Sequence, residues 1–279
     1  MKNKTTHDFG GGPVPAHQHS NGGGWVADTA KVSKTAFVGP DAEVYGNAYV
    51  YGNAYVYGKA KVYDNAKVYD NAKVYGDAWV YGKAIVSDYA WVYGNAAVYD
   101  NAKVSGDAVV SDYTRVSGKA CVYGKAQVFG DAKVYGNANV YGNAAVYGDA
   151  KVLGKAEVYG YAYVYGDAVV DGDTEVSGDA FVYDDAFVYD DTVVDGDTEV
   201  SGTSSEEESS DLETESEMGI NKSAEERLQE AKLVIHKDLH EEIEDAAIDV
   251  ANSIQCNPDG VASLLVDFAD TILALARNQ

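Results

Sequence analysis

One six-residue phrase, repeated without insertion from residue 25 to residue 202, limits what this chain can fold into more than any other feature. A common form is Ala-x-Val-Tyr-Gly-Asn, as in Ala48-Tyr49-Val50-Tyr51-Gly52-Asn53; Ala66-Lys67-Val68-Tyr69-Asp70-Asn71 shows aspartate in the fifth place. Valine recurs at every sixth position from Val26 to Val200, thirty valines in all, and no other residue takes that place. Two positions before each valine from Val32 onward stands alanine, replaced only by Thr114, Thr174, Thr192 and Thr198.

In an extended strand, residues i and i+2 share a face. Ala-x-Val therefore turns a small and a medium apolar side chain inward and x outward. The three residues that follow are turn chemistry: Tyr or Ser, then Gly or Asp, then Asn, Asp or Lys. Glycine permits positive φ at such a corner, and Asn or Asp tolerates it best among the others. Short strand plus short turn, repeated without a break, winds into a β-solenoid.

The repeat resembles that of the hexapeptide-repeat superfamily, in which an aliphatic residue is followed four positions later by a small one, as Val50 is by Ala54. The resemblance covers about two-thirds of the chain. It implies a mainly β protein, a left-handed parallel β-helix of about ten triangular coils, roughly 48 Å long at ~4.8 Å per coil. Residues eighteen apart then stack, so the x positions sort into three flat faces and the corner tyrosines into columns such as Tyr57, Tyr75 and Tyr93. The face with most apolar content carries Phe37, Tyr55, Trp91, Tyr163 and Phe181 together with Lys73 and Glu199. It is the candidate interaction surface, although β-favouring residues suit a solvent-facing strand equally well.

Flanking segments read differently. Residues 1–24, with Gly10-Gly11-Gly12, Pro13, Pro15 and Gly22-Gly23-Gly24, read as a flexible Gly/His/Pro arm, with Trp25 placed to cover the open first coil. His17 to Val26, followed by Ala42-Glu43-Val44-Tyr45-Gly46-Asn47, is similar to the leader of uncharacterised phage and prophage hexapeptide-repeat proteins, which implies a phage-derived accessory protein. Residues 203–222 form an acidic Ser/Glu run expected to be a disordered linker. From residue 223 the period becomes helical. Ser223 and Glu226 form a capping box, and Asn257-Pro258-Asp259-Gly260 ends one helix and starts another. Leu264, Phe268 and Ile272 lie on the apolar face of the second helix. A two-helix hairpin over 223–279 buries too little alone, so it is expected to associate with copies of itself, on the rod, or with a partner.

The formal net charge of −24 is unevenly placed, with residues 25–160 near neutrality and residues 161–202 carrying twelve carboxylates and no Lys or Arg. Such a balance argues against nonspecific binding to nucleic acid or to an anionic membrane. Two cysteines, Cys121 and Cys256, give no disulfide framework. No leader-like apolar core and no apolar run near ~20 residues is present. The expectation is a cytoplasmic protein without a membrane span, in the host cytoplasm or the virion if phage-encoded.

Candidate chemistry is sparse. The enzymes of the resembled superfamily are mostly acyltransferases, with some zinc-dependent carbonic anhydrases. Both imply histidine on the solenoid, and residues 25–202 contain none. His236 and His240 stand i, i+4 on the first predicted helix and could bind a metal, but Lys237 occupies the place where a zincin has glutamate. His7, Asp8, His17 and His19 could gather a metal in the arm. Asp171, Asp173, Asp190 and Asp191 are expected to stack at one corner, where oxygen-only ligands suit calcium; equally they would keep open coils from stacking end to end. The residues together point to a non-enzymatic structural or interaction protein, without cofactor, that oligomerises through its C-terminal helices and binds host or virion protein. An acyltransferase-like enzyme and a phage inhibitor capturing a host defence protein or nucleotide are the alternatives.

Overall fold

A computed structural model of the chain describes residues 5–202. Each hexapeptide supplies one strand formed by x and its valine, such as Tyr49–Val50 or Lys67–Val68, and then turns. Thirty such strands form three parallel sheets, every strand pairing with the one three further on. Tyr49 therefore sits beside Lys67, and Lys67 beside Ile85, in an eighteen-residue register that never slips. The result is a mainly β parallel solenoid of about ten turns, with no helix among the described residues.

Alternation within the strand decides the interior. The repeat valines from Val38 to Val194 are buried, as are the alanines from Ala36 to Ala186, with Thr114 and Thr174 filling two of the alanine places. Val32 and Val200, in the end coils, are only partly covered. The core is thus a solid column of small aliphatic groups with no channel to fill. Each coil hangs on the next through backbone bonds, for example Tyr49 N–H to the Ala66 carbonyl at 2.9 Å and Tyr51 N–H to that of Val68 at 3.0 Å.

Corners require the left-handed backbone. Gly124 has φ 72°, and a Cβ there would stand 3.0 Å from the amide nitrogen of Gly142 in the next coil. Aspartate occupies seven of these corners with φ of 53–61°. Its short side chain can repay the strain locally: the carboxylates of Asp88 and Asp112 accept the amides of Gly106 and Gly130 one coil on, at 3.0 and 2.8 Å.

Tyrosines after the valines stack in ladders along the rod. Tyr45, Tyr63, Tyr81 and Tyr99 follow one another at centroid spacings of 4.8, 4.9 and 5.0 Å with nearly coplanar rings. This spacing is the strand repeat itself. Burial, with Glu43 and Asp64 adding their negative charge, raises the Tyr45 phenol to about 12. Tyr63, Tyr81, Tyr141 and Tyr147 are likewise raised, by burial first. The folded pKa lies above the unfolded value near 10, so this contribution to stability is complete below pH ~10 and lost as pH climbs through the folded values. Thermal melting followed from pH 8 to 12 should show a stable plateau and then a steep fall that coincides with tyrosinate absorbance. A melting temperature independent of pH across that range would contradict the buried ladders.

The N-terminal segment is a correction to the expected flexible arm. Thr6–Asp8 (β1) and Pro13–Gln18 (β2) form an antiparallel hairpin, and β2 pairs in turn with Trp25–Ala27 (β3), the first strand of the solenoid. Asp8 Oδ1 receives the amides of Gly10 and Gly12 and holds the turn. Gly22 and Gly24 serve close approach: a Cβ on Gly24 would fall 2.1 Å from the Gly39 carbonyl oxygen. Prolines are tolerated because the β2–β3 register runs through Ala16, His17 and Gln18, and on that side Pro15 contributes only its carbonyl, which accepts from the Asp28 N–H at 2.9 Å. Trp25 consequently is not the outermost cover. His7 stacks on its indole at 4.4 Å, and Phe9 caps the Tyr45 ladder at 4.8 Å. The acidic run over 203–222 and the helical hairpin over 223–279 lie outside the described residues.

Candidate interaction surface

The face singled out for its aromatics is assembled by one sheet, in which Phe37 pairs with Tyr55, Tyr55 with Lys73, Lys73 with Trp91, and Tyr163 with Phe181. Its rings are occupied with one another. Phe37 lies 5.7 Å from Tyr55, Tyr163 stacks on Phe181 at 5.1 Å, and the Lys73 ammonium sits 4.6 Å from the Trp91 ring centre. Tyr75, from the corner ladder, meets Trp91 edge-on at 6.4 Å. The face is therefore half-covered by its own side chains, and Phe181 is buried. Leu264, Phe268 and Ile272, the other expected contact residues, lie outside the described residues.

Bare aromatic surface sits elsewhere. Trp79 is 47% and Phe187 58% exposed on a neighbouring face, and Tyr89, Tyr113 and Tyr161 project from the turns, each close to 60% exposed. These three tyrosines occupy the last place of the hexapeptide, normally Asn, Asp or Lys. A departure from the repeat at that place was the signal that could have found them.

The candidate ligand groups are separated by the fold. His7 Nε2–H donates to Glu43 Oε1 at 2.9 Å, and the same carboxylate meets the Lys61 ammonium at 2.9 Å. His17 pairs with Asp28 at 3.1 Å. His19 is buried and donates to the Ala36 carbonyl at 3.1 Å; burial holds it below the ordinary histidine value, against an opposing pull from that carbonyl. All three pin the hairpin to the first coils rather than converge. At the acidic end Asp171 turns to the Gly172 amide and Asp173 reaches back to Lys155 at 3.0 Å, while the Asp190 backbone carbonyl accepts from Thr174. Among the described residues no three His, Cys, Asp or Glu side chains are grouped to hold a metal ion. His236 and His240 lie outside those residues.

Two depressions, of about 520 and 490 Å³, lie at the N-terminal end. The larger runs between Phe9, Val14, Pro15, Ala27 and Tyr45, under the hairpin; the smaller borders the partly covered Ala30 and Val32. Charge on the middle of the rod is segregated, which summing over 25–160 conceals. Arg115, Lys133 and Lys151 are consecutive neighbours along one sheet, and Lys119 extends from the turn that follows Arg115. Asp131, Asp149 and Asp167 form an exposed column in the turns that precede the same sheet's strands. Compared with known proteins, the chain matches no family model and no curated sequence.

Proposed function

We propose that the protein is a non-enzymatic structural scaffold of the hexapeptide-repeat type. Its coil would take the left-handed sense the repeat implies, and its working property would be a rigid rod that spaces and presents attached surfaces. The observation that carries this reading is the unbroken eighteen-residue register, with each strand held by its neighbours over a core of valine and alanine. Such a ladder resists bending and sets fixed distances along its axis. In this proposal the 223–279 segment gathers copies, so that weak contacts made by each rod add up through effective concentration. Its partners would be a second copy and host or virion protein, a setting that the likeness of residues 17–26 and of the repeat to phage hexapeptide-repeat proteins supports.

A chain ending at residue 202 tests the division of labour. It should keep the β-type circular dichroism and alkaline melting of the full chain while light scattering reports a lower oligomeric state. An unchanged subunit number would remove association from the C-terminal segment; loss of the β signal would show that the rod does not stand alone.

A further inference from the structure

One strand edge stays open at the N-terminal end of the rod, and we propose that it binds a single extended segment of a partner protein, laid parallel to Lys31–Val32 (β4) with a carboxylate beside Lys31. In the ladders the x residue of each strand bonds to the coil after it and the valine to the coil before it. Lys31 N–H donates to the Ala48 carbonyl, and Ser33 N–H to that of Val50. The valines of the first coil have no earlier coil to bond, and the N-terminal segment serves two of them instead. Val26 pairs with His17 in β2. Val38 N–H donates to the Asn21 carbonyl at 3.0 Å, and its own carbonyl accepts from Gly24 N–H at 2.9 Å. Val32, which ends β4, has no backbone partner on that side among the described residues.

The opening is one strand wide, because β2 and the loop over 21–24 already occupy the edges of the other two sheets. The end coil of a second rod presents three strands at once and cannot enter; one extended chain can. The smaller N-terminal depression, about 490 Å³, lies at this edge, with Val26, Ala30 and Val32 on its inner side and Lys31, Tyr49 and Tyr51 on its outer side. Ala30 and Val32 are only partly covered. An alanine and a valine at alternate positions of the incoming strand close the column over them, as the repeat does in every later coil. Main-chain bonds to Val32 then supply affinity, and the side chains supply specificity. Charge selects the outward residue between those two. Lys31 and Lys34 are exposed and in no ion pair among the described residues, and the Lys31 ammonium lies 5.0 Å from the Tyr49 ring centre. The rod already holds the expected contact elsewhere: Glu43 stands directly before Lys61 in its ladder, and its Oε2 meets that ammonium at 2.9 Å. A glutamate in an incoming Ala-Glu-Val stands before Lys31 in the same register.

Titration of the full chain with the peptide acetyl-Thr-Ala-Glu-Val-Ser-Gly-amide, followed by nuclear magnetic resonance, tests the proposal. Saturable shifts should centre on the amides of Lys31, Val32 and Ser33 and leave those of Val110 and Val152 unmoved. The same peptide with Lys in place of Glu should bind about fivefold more weakly, and Lys31→Glu should reverse that order. Val32→Pro removes the outward N–H without breaking a ladder bond, a change that an edge strand tolerates. Its circular dichroism and melting should match the parent while the shifts vanish. Shifts that persist in a folded Val32→Pro, shifts that are absent from the parent or spread along the rod, or a peptide preference unmoved by Lys31→Glu would each overturn the proposal. None of these results bears on association through residues 223–279, which light scattering reads separately.

Discussion

Replacing Val110 with aspartate is expected to break the rod in its middle, giving two calorimetric transitions where the parent gives one. Val110 has no solvent exposure, and its ladder neighbours inside the column are Val92 and Val128. Neither of these neighbours can pair with a carboxylate. Burying the charge unpaired costs several kcal/mol, and burying the neutral acid without a hydrogen bond still costs a few. Each coil touches only the coil before and the coil after, so the damage cannot be shared along the axis. The flanks should melt as separate shorter rods, with the N-terminal piece, closed by its hairpin, the more stable. Val110→Thr, nearly the same shape, should lower the midpoint less and keep one transition. A single transition at the parental temperature in Val110→Asp would mean that this side chain can reach water.

The second large effect is expected at the corners, where two substitutions of one glycine should part company. Gly124→Val places a β-branched residue at φ 72° and drives its Cβ toward the next coil's backbone, 3.0 Å away. The left-handed backbone alone costs about 1–2 kcal/mol, and the contact should bring the total to about 2–3 kcal/mol. Gly124→Asp should cost under about 1 kcal/mol, because the chain already places aspartate at seven equivalent corners, and in several of them the carboxylate accepts an amide one coil on. Chemical denaturation of the two variants side by side measures the gap. Equal midpoints would mean that the corner backbone is not left-handed.

Much of the rod was legible because its period carries both the pleat and the coil. Val50 and Ala54 are four apart, which in a three-plus-three repeat puts both side chains inside on successive flats, and the structure buries both completely. The grouping of Phe37, Tyr55, Trp91, Tyr163 and Phe181 on one sheet followed from the same arithmetic. How bare that face is did not follow. Coverage depends on how far Tyr75 leans from its corner and on Lys73 lying over Trp91, and neither is a matter of spacing.

The hairpin was hidden by composition. Its strands are short, the second carries Pro13 and Pro15, glycine runs join and follow them, and they are ordered by contacts with residues well along the chain: His7 with Glu43, Phe9 with Tyr45, His19 with Ala36. Local propensity cannot report partners that only winding brings near. The separate rows of like charge were lost for a related reason. Lys133 and Asp131 cancel in a sum over residues 25–160, but the alternation of strand and turn carries them into separate columns.

The claim beneath all of this is that the repeat valines line one axis, each above the one eighteen residues earlier. Methyl-labelled valine in the full chain permits a direct reading. Nuclear Overhauser contacts should join Val68 to Val86 and Val86 to Val104, step after step, and a soluble paramagnetic agent should leave these methyls unbroadened while it broadens Val193, which is 63% exposed. Repeat-valine methyls that broaden with Val193, or contacts at spacings other than eighteen, would contradict the solenoid.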